Sequence, residues 1–154
     1  MLKFYNYDIV FAEIPDEVSL AINISNCPNR CEDCHSLWLW KDMGQELSEN
    51  NLSLLVKEYI DSITCIVFMG GDNEPKSVNN LAKFVKNTFD KKTAWYSGRE
   101  KISEDIETIN FDYIKVGAYI KERGALKDKT TNQRLYKLKE GKIIEDITYK
   151  FWKK

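Results

Sequence analysis

"SITCIVFMGG", Ser62 to Gly71, decides the fold. Between Ile63 and Met69 one hydroxyl and one thiol interrupt an otherwise apolar run, and the run stops at two glycines. A short continuous apolar run with no polar alternation predicts a strand covered on both faces, as in a parallel sheet. Such a strand needs helices to cover it, and the flanking sequence supplies them. Ser48 is placed to N-cap "SENNLSLLVKEYID", with Leu52, Leu55, Val56 and Tyr59 on one face. Pro75 can start a second helix, with Val78, Leu81, Ala82 and Val85 at helical spacing.

Further strands follow the same logic. "SLAINIS", Ser19 to Ser25, alternates apolar and polar residues. "KTAWYSG" reads as a strand ending in Gly98, and "FDYIKVG" as one ending in Gly117. Strand–helix–strand alternation predicts an α/β domain with a mostly parallel sheet. "TTNQRLYKLKEGKIIEDITYKF" reads as a C-terminal β-hairpin with its turn near Glu140 and Gly141. The length of 154 residues fits a single domain, 1–154. A complete eight-fold β/α barrel takes about 250 residues, so the chain can supply only a partial, incomplete barrel.

"MGG", "YSG" and "KVG" each stand where an apolar strand gives way to a loop. Those are carboxyl strand ends, where α/β sheets bind ligands. The segment after "SLAINIS" stands at the same kind of end. It reads "NCPNRCEDCHSLWLW" and holds Cys27, Cys31 and Cys34, spaced C-x3-C-x2-C.

Charge and composition narrow the function. The formal net charge is −1, with acids and bases interspersed, which argues against a nucleic-acid groove or a basic membrane patch. No apolar stretch approaches the roughly 20 residues that span a bilayer. The N-terminal residues lack a charged segment followed by an apolar one. The expected location is therefore cytoplasmic, with no nucleic acid and no membrane as partner. In a reducing cytosol, clustered cysteines point to metal ligation more than to disulfides.

Three clustered thiols leave the metal open at this stage. Structural zinc takes four protein ligands in a tetrahedron. His35 adjoins Cys34, and neighbouring residues rarely reach one ion together. Cys65 is a possible distant fourth ligand, but its place inside an apolar strand fits a small buried hydrophobe better. A 4Fe-4S cluster is usually held by four thiolates. Three would leave one iron open to a substrate or cofactor.

C-x3-C-x2-C after a first strand, followed one helix and one strand later by "MGGDNEP", Met69 to Pro75, resembles the radical S-adenosylmethionine superfamily. The second stretch is similar to that superfamily's glycine-glycine-acid turn. The short chain and "TTNQR", Thr130 to Arg134, resemble more closely the activating proteins of anaerobic ribonucleoside-triphosphate reductase. The resemblance implies an incomplete β/α barrel of the radical S-adenosylmethionine type. It implies one 4Fe-4S cluster on Cys27, Cys31 and Cys34, and S-adenosyl-L-methionine as cofactor. Asp33, Cys34 and His35 would line that cofactor, and Gly70, Gly71 and Asp72 would receive its methionine part. Asp33 stands where many members of the superfamily place an aromatic, and Asp72 where many have glutamate.

The implied activity is reductive cleavage of the cofactor to methionine and a 5′-deoxyadenosyl radical, which takes a hydrogen atom from a glycine of the reductase. The implied partners are the reductase's large subunit and an electron donor such as flavodoxin or ferredoxin. Trp38 and Trp40, alternating with Leu37 and Leu39, would suit docking. Ser97 and Lys115, at strand ends, could meet a ribose and a carboxylate, and read equally well as structural positions. Three alternatives stay open: action on another glycyl-radical protein, action on a small molecule, and a non-catalytic zinc or iron–sulfur binding module.

Overall fold

The computed structural model describes residues 2–25 and 45–152. Among these residues, eight strands form one mixed sheet: β1 Lys3–Val10, β2 Ser19–Ile24, β3 Gln45–Glu46, β4 Cys65–Met69, β5 Lys92–Tyr96, β6 Tyr113–Val116, β7 Arg134–Lys139 and β8 Lys142–Asp146. Their spatial order is β3-β1-β2-β4-β5-β6-β7-β8. Two helices, α1 Glu49–Tyr59 and α2 Pro75–Phe89, connect β3 to β4 and β4 to β5.

The four central strands β2, β4, β5 and β6 are parallel. The expectation of a mostly parallel sheet holds for this centre and not for its flanks. β1 and β3 join one side antiparallel, and the β7–β8 hairpin joins the other. The flanks differ because their residues are not covered on both faces. In β1 only Phe4 is fully buried, and every residue of β8 is exposed. In β4, Cys65 to Phe68 are all buried, as the apolar run requires.

Local chemistry sets the helix limits. The Ser48 hydroxyl accepts from the Asn51 amide at 3.1 Å and caps α1. Pro75 opens α2, and Asp90 closes it in a left-handed conformation. Val78, Leu81, Ala82 and Val85 of α2 are buried. Leu52, Leu55 and Val56 of α1 are buried as well, while Tyr59 is only partly covered. Both helices share one core cluster with Ile22, Ile24, Ile66, Phe68, Trp95 and Ile114. The opposite face of the sheet carries a second cluster, with Ile14, Ala21, Val67, Ala94, Leu135 and Ile147. The β7–β8 turn sits at Glu140 and Gly141, both with positive φ, as a two-residue hairpin demands.

Candidate functional site

Parallel strands bring their carboxyl ends to one edge of the sheet, and here the ends are level. Asn23, Met69, Tyr96 and Lys115 pair in one row across β2, β4, β5 and β6. The residues just beyond that row are Ser25, the Gly70–Asp72 turn, Ser97–Gly98 and Gly117. The three strand-end glycine motifs of the sequence therefore converge on one edge. Ser25 closes β2 there, two residues before Cys27. Its amide donates to the Lys3 carbonyl at 2.9 Å. β3, at the far end of the same segment, pairs with Lys3 and Phe4. Both described ends of the cysteine segment are thus fixed to the start of β1. Cys27, Cys31, Cys34, Asp33, His35, Trp38 and Trp40 lie outside the described residues.

The glycines of the turn are required by space and by backbone conformation. Gly71 has φ +91°, and a Cβ there would lie 2.6 Å from Val78 Cγ2. Gly70 has φ +106°, and a Cβ there would lie 3.2 Å from the Ile24 carbonyl oxygen. Positive φ at both positions favours glycine strongly. The turn accordingly passes close to the end of β2, with α2 starting directly behind it.

Asp72 is 6 % exposed. Its Oδ1 accepts from the Ser97 hydroxyl at 2.5 Å, and its Oδ2 accepts from the Gly98 amide at 2.8 Å. The Trp95 indole donates to the Gly70 carbonyl at 2.6 Å, and the Gly70 amide donates to the Tyr96 carbonyl at 3.0 Å. Every one of these partners belongs to β5 or the two residues after it. Gly70, Gly71 and Asp72 form one turn, and the Asp72 carboxylate lies against the protein's own donors.

Lys115 is 7 % exposed. Its ammonium donates to the carbonyls of Ser97, at 3.1 Å, and Gly117, at 2.7 Å, and stands 5.7 Å from the centre of the Tyr96 ring. It lines a largely apolar cleft of about 530 Å³, together with Met69, Tyr96, Leu126, Gln133 and Phe151. Burial pushes the Tyr96 phenol far above its ordinary pKa, and its hydroxyl donates to the Glu13 carbonyl. A cleft of about 490 Å³ opens on the helical side of the turn, between Asp72, Trp95, Arg99 and Lys101.

"TTNQR" acquires a structural meaning. Gln133 Nε2 reaches the Gly117 carbonyl at 3.4 Å, Asn132 Nδ2 donates to the Ala118 carbonyl at 3.1 Å, and Thr131 Oγ1 donates to the Gly124 carbonyl at 3.2 Å. The motif holds the loop that follows β6, so it frames the cleft. Trp95, Tyr96 and Gln133 carry no individual motif in the sequence. The signal for Tyr96 was its position one residue before "SG", since side chains alternate across a strand.

Cys65 is fully buried at the opposite, amino end of β4. Burial, then the neighbouring Glu17 carboxylate, push its thiol well above the ordinary range. A metal ligand must be a thiolate. Five residues of strand at about 3.3 Å each put Cys65 roughly 16 Å from Gly70. Its environment agrees with the reading of Cys65 as a buried hydrophobe. Among the described residues, no group of three or more histidines, cysteines, aspartates or glutamates is placed to hold a metal ion. Thiolates are the ligands that iron–sulfur clusters take, and Cys27, Cys31 and Cys34 lie outside the residues on which that statement rests.

Residues 18–136 match the family model described as a 4Fe-4S single cluster domain. The match runs from β2 into the first half of β7 and includes the cysteine segment, the glycine turn and most of the cleft. No curated protein matches the chain, and no solved structure does. Among the described residues, no helix is long and apolar enough to cross a membrane.

Proposed function

The chain belongs to the 4Fe-4S single cluster domain family, and on that premise we propose that it is a radical S-adenosylmethionine enzyme. In this reading it activates the large subunit of an anaerobic ribonucleoside-triphosphate reductase by forming a glycyl radical on it. The observation that carries the reading is the convergence of strand ends. The cysteine segment leaves the end of β2 beside the glycine turn of β4, and the ends of β5 and β6 complete the same edge. An incomplete β/α barrel of the radical S-adenosylmethionine type is the fold that goes with this reading.

Cys27, Cys31 and Cys34 would hold the cluster through their thiolates. When bound, the cluster and S-adenosylmethionine supply one-electron chemistry that ends in removal of a hydrogen atom from a glycine of the partner. The protein's own residues bind, orient and exclude water. The Gly70–Asp72 turn receives the methionine end, because its glycines let a ligand approach the backbone closely. Asp33 and His35, flanking Cys34, complete the cofactor's surroundings in this reading. Lys115, in the lining of the apolar cleft, supplies positive charge for a carboxylate. Tyr96, Leu126 and Phe151 give the cleft an apolar lining. The one-electron reductant is a small redox protein of the flavodoxin or ferredoxin class.

The test is anaerobic reconstitution with iron and sulfide, followed by addition of S-adenosylmethionine and a chemical reductant. The expected result is about four irons and four sulfides per chain, with release of methionine and 5′-deoxyadenosine. A full cluster complement without cofactor cleavage would favour a non-catalytic iron–sulfur module. One zinc per chain would contradict the cluster assignment itself.

A further inference from the structure

We infer that Asp72 is a positioning residue, a latch between the ends of β4 and β5, rather than a direct contact to the bound cofactor. The inference rests on the proposed function for the identity of the ligand, but the latch itself is a property of the protein alone. Its carboxylate accepts from the Ser97 hydroxyl on one oxygen and the Gly98 amide on the other. The Ser97 hydroxyl in turn accepts from the Arg99 amide at 3.1 Å. On the other side of the turn, the Trp95 indole holds the Gly70 carbonyl. Gly70 and Asp72 are therefore each fastened to the β5 end, with Gly71 held between them.

Two glycines in succession need this fastening. Glycine has the widest choice of backbone conformations, so an unrestrained Gly-Gly pair would adopt many. A ligand that binds through the turn's backbone would then have to order it, which costs affinity. The latch keeps the turn in one shape before the ligand arrives. Ser97 and Trp95 belong to it as much as Asp72 does. Ser97 contacts the cofactor's site through Asp72, and Trp95 does so through the Gly70 peptide. Both side chains are almost fully buried, at 1 % exposed each.

The test uses the iron-loaded full chain under argon, with Ser97→Ala, Asp72→Asn, their double variant, and Trp95→Phe, which keeps a ring and loses the donor. Iron content should stay at the wild-type level in all four. Titration with S-adenosylmethionine should show Ser97→Ala weakened about tenfold, since the loosened turn must then be ordered on binding. The double variant should be no weaker than the worse single one, because both break the same latch. Amide exchange without cofactor should quicken in residues 70–73 in Ser97→Ala and in Trp95→Phe, more than in the distant strand β7. Wild-type affinity in Ser97→Ala beside a large loss in Asp72→Asn would overturn the inference in favour of direct contact. Unchanged exchange at the turn would overturn it as well. If the wild-type protein binds no S-adenosylmethionine, the proposed function fails, and the exchange result alone then decides whether the latch exists.

Discussion

Replacing Gly71 by alanine tests the packing of the turn without touching any polar group. The new Cβ would stand 2.6 Å from Val78 Cγ2, closer than non-bonded carbons approach. Inserting a methyl into a packed site costs about 1–3 kcal/mol. A side chain at φ +91° adds about 1–2 kcal/mol of backbone strain. The expected loss is therefore about 2–5 kcal/mol, a large share of the roughly 5–15 kcal/mol that holds a domain folded. With a urea slope of about 2 kcal/mol per molar, the midpoint should fall by roughly 1–2.5 M. Val78→Ala removes the atom that the new Cβ would strike. In that background Gly71→Ala should cost about 1–3 kcal/mol less than in the wild type, leaving mainly the backbone strain. The four proteins can be compared by urea unfolding followed by circular dichroism. A fall in midpoint that is the same with and without Val78 would refute the clash, and a negligible fall would refute the whole account of the turn.

Cys65→Ala should leave iron binding intact and lower stability by only about 1 kcal/mol, the scale of removing a small buried group. Cys27→Ala, Cys31→Ala or Cys34→Ala should each lose most of the iron, read by metal analysis. Burial alone would raise the pKa of Glu17, but hydrogen bonds from Lys92, Thr64 and Tyr113 outweigh it and hold the carboxyl below its ordinary range. A group lowered in the folded state contributes stability above its unfolded pKa, near 4.5, and loses it as the pH falls through the lower folded value. Unfolding in urea should show stability declining below about pH 5, and Glu17→Gln should flatten that decline. Lys115→Met should leave iron content unchanged and weaken S-adenosylmethionine binding, read by titration under argon.

The centre of the fold was legible because its residues have little choice. Cys65 to Phe68 are buried on both faces, and a run of that kind declares itself without alternation. Both helices announced their starts, Ser48 by capping and Pro75 by its fixed φ. The flanks were harder to read. β1 carries no clear period-two signal, since its register shifts between Phe4 and Asn6. The two-residue β3 is too short to leave any pattern.

The site was legible at its glycines for a related reason. Gly70 and Gly71 stand where other residues would clash or strain, and a pair of glycines after an apolar strand marks such a place. The partners of Asp72 were not legible. Ser97 and Trp95 reach it and Gly70 only because β5 lies beside β4, and that adjacency is a matter of topology. Cys65 was separable from the other three cysteines because its neighbours in sequence are apolar, and its burial at the far end of β4 agrees.

In the proposed function this chain places a radical on a glycine of another protein. That function is tested most directly by electron paramagnetic resonance. The reconstituted protein, S-adenosylmethionine, a reductant and the large subunit of an anaerobic ribonucleoside-triphosphate reductase are mixed under argon and frozen. The expected spectrum is a doublet from a glycyl radical on the reductase, collapsing towards a single line when the reductase carries α-deuterated glycine. Cofactor cleavage that proceeds normally with no such signal on the reductase would contradict the proposed function.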